Sequence, residues 1–189
     1  MESAAREADR PLRQFEYRGF SDLFAYWQDV RNGMPVPALK DFDLLRLQHL
    51  LPDILISEVR SAADIHLRFV GTAIVERFGY DPTGRNSLLN QREDMRDTVG
   101  RWYSMLVNQP CGALSAYKNI YSSGREAVAE CLFLPLRTAE WPCFVSLVRL
   151  TEILNWQTVS PLTITAANIL DLEWIDLGFG IPAASQSAI

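Results

Sequence analysis

A lone amphipathic helix separates two blocks of strand-forming sequence. Within Asn90–Val107, Met95, Val99, Trp102, Tyr103 and Leu106 recur every three or four positions, and Asp94, Asp97 and Arg101 fall on the opposite side. Asn90 with Glu93 fits a capping box in which Asn replaces Ser or Thr, and Pro110 and Gly112 terminate the run. Before this helix, Ile54–Val59 and Asp64–Val70 flank a four-residue link and read as an antiparallel hairpin. Alternation in the second strand predicts Ile65, Leu67 and Phe69 on one face, His66 and Arg68 on the other. A short helix, Ala73–Phe78, is closed by Gly79. After the long helix, Ala113–Tyr121, Arg125–Leu136 and Cys143–Ile153 are three strands joined by short loops containing Gly or Pro, the pattern of a meander.

Two strands, short helices, one long helix and three strands define an α+β domain. The 189 residues suffice for one domain that buries a core without disulfide or metal staples, and the hydrophobic share of 48% supports such a core. The net charge of −5 and pI near 5.1 remove the electrostatic basis for strong non-specific DNA or RNA binding and leave only a local basic patch open, so no nucleic-acid partner is expected. No run approaches a membrane span, and the charged start MESAAREADR lacks the apolar centre of a secretory signal. Three cysteines, an odd and widely spaced set, predict reduced thiols and a cytoplasmic location. The expected organisation is a flexible N-terminus at 1–19, N-terminal helices at 20–52, a core at 53–155 and a C-terminal extension at 156–189. The extension carries Ile169, Leu170, Leu172, Trp174, Ile175 and Leu177. Its secondary structure stays open, although Trp174 is expected to dock because such a ring is costly to leave in water.

The N-terminal region presents its own problem. Phe20, Leu23, Phe24, Trp27 and Val30 form an apolar stripe on a helix capped at Gly33, and a shorter helix is expected over Asp43–Leu51. The stripe must bury itself against its own domain or against a second copy. An exposed aromatic stripe is a liability in a monomer and two-fold dimers are the commonest assembly, so these five residues are the candidate interface of a homodimer. On that reading Trp27→Glu would yield a folded monomer.

The order of elements is that of a PAS domain, and local sequence resembles the family. Phe69-Val70-Gly71-Thr72 followed by Phe78-Gly79-Tyr80-Asp81 and Thr83-Gly84 is similar to the passage from second strand to short helix. Glu130 through Leu134-Pro135-Leu136 is similar to the fourth strand. Tyr26-Trp27 with Arg31 and Gly33, Asp41-Phe42-Asp43, Leu51-Pro52 and Ile175-Asp176-Leu177-Gly178 resemble a stand-alone proteobacterial subset, so that the likeness covers about residues 20–182. It implies a five-stranded antiparallel sheet with helices packed on its concave face. It also implies a sensory or regulatory module rather than an enzyme, acting through a small-molecule ligand, through dimerisation or through an unidentified signalling protein.

No cofactor is identified. Haem-binding members place a His on the long helix, and Asn90–Val107 has none; His49 and His66 lie elsewhere, so haem is not expected. Gly84-Arg85-Asn86-Ser87 resembles the Gly-Arg-Asn-Cys start of the photoactive motif of light-oxygen-voltage domains. Ser87 stands where the thiol is needed, which disfavours covalent flavin photochemistry and leaves non-covalent flavin binding open. The simpler reading is a turn before the helix. Cys111, Cys131 and Cys143 lack the close pairing of zinc sites, so no metal is expected. Glu130 shares a strand face with Val128, Leu132 and Leu134. It is either paired with Arg125 or Lys118 near solvent or directed at a ligand. The candidate ligand-binding set is Phe69, Phe78, Tyr103, Tyr117, Glu130 and Phe133, carried by elements that would enclose the concave face. The competing reading is an isomerase-type enzyme on an α+β cavity fold with Glu130 as base, against which the order of elements speaks.

Overall fold

The structure, a computed structural model, describes residues 15–121, 124, 126–153 and 164–183. The expected flexible start at 1–14, the turn residues Ser122 and Ser123 and the head of the extension at 154–163 lie outside the described residues. Helix α1 (Arg18–Arg31) leads through short 3₁₀ turns to the strands β1 (Ile54–Ser61) and β2 (Asp64–Val70). Then come α2 (Thr72–Phe78), two further 3₁₀ turns, α3 (Arg96–Asn108), β3 (Gly112–Tyr121), β4 (Glu126–Arg137), β5 (Pro142–Ile153) and β6 (Ile164–Ile175). The six strands form one sheet in the order β2-β1-β5-β4-β3-β6, with every neighbouring pair antiparallel. No described helix is long and apolar enough to cross a membrane.

The sheet has one strand more than the five expected. Residues of the C-terminal extension pair with β3 from Gly112↔Ile175 to Tyr121↔Ile164, so that part of the extension belongs to the sheet. Trp174 docks where its alternation puts it, 5.7 Å from the Trp102 ring on the face covered by α3. The chain continues from β6 onto α1, where Arg31 Nη1 donates to the Leu177 carbonyl at 3.0 Å.

Helices cover both faces of the sheet, not one. Phe20, Leu23, Phe24 and Trp27 of α1 are buried with Leu132, Leu134, Leu136, Val145 and Leu147, the residues of β4 and β5 that point to one face. Val30 is half-buried beside them. This corrects the expectation of a dimer stripe: Leu23 and Trp27 are 0% exposed within the single chain, which leaves them no surface for a second copy. Trp27 is anchored further, because its indole Nε1 donates to the Pro135 carbonyl at 2.7 Å. Pro135 fits inside β4 because the pairing of β4 with β3 stops at Ala113↔Phe133, so its missing N–H costs no ladder bond on that side. The opposite face is covered by α2 and α3, whose Ile74, Val99, Trp102 and Leu106 pack on Leu67, Cys131, Phe133, Phe144 and Val148.

Local departures from the sequence reading have local causes. The expected helix over Asp43–Leu51 is two 3₁₀ turns, Leu44–Leu47 and Leu51–Asp53. Leucines three apart share a side in a 3₁₀ turn as well as in an α-helix, so their spacing did not distinguish the two. Asp43 still caps, accepting from the Leu45 N–H at 3.0 Å. The long helix begins at Arg96 rather than Asn90, and the residues before it form the 3₁₀ turns Ser87–Asn90 and Glu93–Met95. The Asn90/Glu93 box does not form: Met95 precedes α3 without a side-chain cap, and Asn86 caps the separate turn Ser87–Asn90. At the end of α1 the left-handed conformation begins at Asn32 (φ 45°) and continues at the expected Gly33 (φ 78°). Gly100 is where α3 crosses the β1–β2 turn: a Cβ there would stand 1.8 Å from the Ala62 carbonyl oxygen.

Candidate functional site

Between the sheet and the helices α2 and α3 lies a cavity of about 120 Å³, roughly ten times the least space that holds one water molecule. Its existence follows from side-chain size on the inward positions of the strands. Ser57 of β1, Ser146 of β5, Cys131 of β4 and Ser115 of β3 are small residues on a face otherwise furnished with Leu55, Phe133, Phe144, Val148 and Tyr117. Ser57, Ser115 and Ser146 are at most 4% exposed. The roof is Ile74, Arg77 and Phe78 of α2, Ser87, Asn90 and Gln91 of the connecting turns, and Val99, Trp102 and Tyr103 of α3.

Aromatic rings frame one end. Tyr103 stacks on Phe144 with centroids 4.9 Å apart and planes 15° from parallel. Trp102 meets Phe133 edge-on at 4.8 Å. Burial pushes the Tyr103 and Tyr117 phenols and the Cys131 thiol well above their ordinary ranges, so all three are neutral near pH 7. The Arg77 guanidinium lies close enough to Tyr117 to oppose that rise.

The polar atoms of the wall are the informative part. Four buried side-chain nitrogen and oxygen atoms make no well-formed hydrogen bond among the described residues: Arg77 Nη1, Ser87 Oγ, Trp102 Nε1 and Ser146 Oγ, the last beside the weakly bonding Cys131 thiol. All four residues line this cavity. Buried polar groups are almost always satisfied, and an orphan costs about 1–3 kcal/mol, so four around one void make it a candidate site for water or a polar ligand. Their neighbours hold them in place. Arg77 Nη2 donates to Asp53 Oδ1, which fixes the guanidinium while Nη1 faces inward. Asn86 accepts from the Ile65 and Leu88 N–H groups, both at 3.1 Å, and donates to the Ala63 carbonyl at 2.7 Å. The segment Gly84-Arg85-Asn86 is thereby clamped along β2, with Gly84 N–H bonded to the Leu67 carbonyl, and Ser87 is delivered to the cavity wall. Tyr80 Oη donates to Asn90 Oδ1 at 3.0 Å, steadying a second roof residue.

Of the six expected ligand-binding residues, Phe78, Tyr103, Tyr117 and Phe133 line the cavity. Phe69 and Glu130 do not, and each correction has a reason. The pairing of β1 with β2 slips between Ile56↔Phe69 and Ser57↔Leu67, leaving Arg68 as an extra residue. Strict alternation therefore fails, and Phe69 turns to the α1 face while Leu67 stays on the α3 face. Glu130 points to the α1 side, 36% exposed and 3.6 Å from the Arg149 guanidinium, neither of the partners expected for it. A carboxylate placed there is no base for chemistry in the cavity. His49 sits 3.4 Å from Asp22 at the surface and His66 bridges to Asn86 on β2, and neither lines the cavity. Cys111, Cys131 and Cys143 are free and buried. Among the described residues no His, Cys, Asp and Glu side chains cluster as a metal site would require.

Sequence reasoning missed Ser57, Arg77, Ser87, Trp102, Ser115, Asn119 and Ser146 as cavity residues. The signal was present in the strands: Ser57, Ser115, Asn119 and Ser146 fall on the same alternation as the apolar residues of the buried face, where a filled core would carry larger side chains.

An antiparallel sheet with one long helix laid across a polar-studded cavity defines the class of the fold, an α+β domain with a cavity between sheet and helices. The PAS domain family matches residues 16–145, over half of the chain. The chain belongs to the PAS domain family, and it is in general terms a sensory or regulatory domain. Among solved structures it is similar to the PAS domain of an HTR-like protein from Haloarcula marismortui, at 17% identity and a TM-score of 0.38, over 57% of this chain and 90% of that one. No curated protein matches the chain.

Proposed function

We propose that this domain senses a small molecule held in the cavity between the sheet and α2/α3, and passes the bound state on through protein contacts. The reading is carried by one observation: the four unpartnered polar atoms Arg77 Nη1, Ser87 Oγ, Trp102 Nε1 and Ser146 Oγ all belong to residues of one cavity wall. A ligand that bonds them replaces mobile solvent with fixed partners drawn from α2, α3 and the sheet together, and so prefers the arrangement of α2 and α3 seen here over a looser one. That difference in affinity is what a sensor requires, since equal affinity for two states shifts nothing. The partner is a second copy or a separate signalling protein, met through surfaces other than the α1 stripe. The role is non-catalytic, because Glu130, the base of the isomerase alternative, lies away from the cavity. The cytoplasm suits three thiols that stay reduced.

Native mass spectrometry of freshly purified protein, with an absorption spectrum and a thermal-shift screen of small molecules, tests the reading. The expected result is a non-covalent adduct or a ligand that raises Tm, weakened by Ser146→Val and untouched by Glu130→Gln. A bare protein mass, together with no stabilising ligand in the screen, overturns it.

A further inference from the structure

We propose that the cavity selects a compact aromatic monocarboxylate, its carboxylate accepting from Arg77 Nη1 and its ring packing against the cluster of Tyr103, Phe133 and Phe144. This rests on the reading that the cavity is a ligand site and goes on to name the class of ligand.

Three observations carry it. First, Arg77 is the one charged residue among those lining the cavity in the described structure. A cationic ligand would meet a like charge on the wall itself, whereas an anion meets a guanidinium whose charge Asp53, set back from the cavity lining, offsets only in part. Second, the orphan atoms are biased towards donation. Arg77 Nη1 and Trp102 Nε1 can only donate, and the two serine hydroxyls donate or accept. A ligand satisfying them must be rich in acceptors, and a carboxylate offers two oxygens and charge-assisted bonds about twice as strong as neutral ones. The guanidinium is already oriented: Asp53, itself 30% exposed and screened by water, holds Nη2 and leaves Nη1 for the cavity. Third, the remainder of the wall suits a flat apolar body. Tyr103 stacks on Phe144 with centroids 4.9 Å apart and Phe133 lies 5.7 Å from Phe144 at 66°, a closed aromatic cluster against whose cavity side a ligand ring can pack. A cavity of about 120 Å³ holds a single ring with small substituents rather than a fused cofactor.

The test is isothermal titration calorimetry of the full chain with benzoate, benzamide and benzylammonium, which share a ring and differ in charge. Benzoate should bind at least tenfold more tightly than benzamide, and benzylammonium most weakly. Arg77→Gln should cut benzoate affinity at least tenfold and benzamide affinity several-fold less, a charge-selective loss that general loosening of the domain, which would weaken both alike, would not give. Should Arg77→Gln fail to fold, the order of the three probes on the native chain decides. Benzamide binding as tightly as benzoate would overturn the anion assignment and leave the cavity reading intact. Binding of none of the three, with no adduct in the native mass spectrum, would overturn both.

Discussion

Replacing Trp27 by phenylalanine isolates the bond that fastens α1 to the sheet. The indole is 0% exposed, and its Nε1 reaches the carbonyl of the buried Pro135 at 2.7 Å. Phenylalanine keeps most of the apolar contact with Leu134, Leu136 and Val145, but it removes the donor. The net value of such a bond is about 0.5–1.5 kcal/mol, and stranding a buried carbonyl costs about 1–3 kcal/mol in all. With the smaller ring leaving part of its volume empty, Trp27→Phe should destabilise the fold by about 2–3 kcal/mol, and Trp27→Ala by about 3–5 kcal/mol. For a chain of this size that is a fall in Tm of about 5–10 °C for the phenylalanine variant. Urea unfolding followed by far-ultraviolet circular dichroism measures it, and the midpoint should fall with an unchanged slope. Trp27→Glu, which the sequence reading expected to leave folding intact, should instead fail to fold, since it buries a charge without a partner. A Trp27→Phe variant within about 0.5 kcal/mol of the native chain, or a folded Trp27→Glu protein of halved mass by light scattering, would refute the placement of α1.

Gly100→Ala, a change that favours an exposed helix by up to about 1 kcal/mol, should here destabilise by about 1–3 kcal/mol, because the new Cβ meets the Ala62 carbonyl; thermal melting gives the sign. Burial pushes Cys111 and Cys143 up to about 12, with the Asp176 and Glu58 carboxylates adding to the rise. Their folded forms therefore keep protons that the unfolded chain loses from about pH 8.5, so stability should decline as pH rises from there towards 12; urea midpoints from pH 7 to 10 should show a slope that Cys111→Ala/Cys143→Ala flattens. Glu58 feels burial, which raises its pKa, but bonds from Arg68 and Arg60 outweigh it and hold it below the usual carboxylate range. Its contribution is present above that range and lost as pH falls through the lowered value, so Arg68→Ala should move acid unfolding, followed by tryptophan fluorescence, to higher pH.

The arrangement of strands was legible because periodicity changes sharply where the long helix interrupts it, and five of the six strands fall where alternation put them. The sixth was not, since its pattern of Ile169, Leu172 and Trp174 is broken by the extra residue Leu170, which is left unopposed between Asp171 and Ile169 in the pairing with β3. The same kind of slip hid the direction of Phe69. Four of the six residues named from sequence line the cavity, because aromatic side chains on inward positions have little choice of destination. The polar ones could not be named, because whether a serine faces a void or a neighbouring side chain depends on packing across elements distant in sequence. Arg77 shows this best: its partner Asp53 and its neighbour Tyr117 belong to other elements, and nothing in the local sequence of α2 announces either.

The pairing of Ile54 with Leu147 places the seam of the sheet between a strand from the first third of the chain and one from its last. A growing polypeptide therefore exposes the β1–β2 hairpin long before its neighbour β5 is made, and a two-stranded hairpin alone is marginal in water. Assembly must wait for the distant segment, which lengthens the search and slows it relative to a fold of local contacts. The ordering of the chain thus makes the domain's maturation a late, all-at-once event, with the α1 aromatic residues uncovered until it happens.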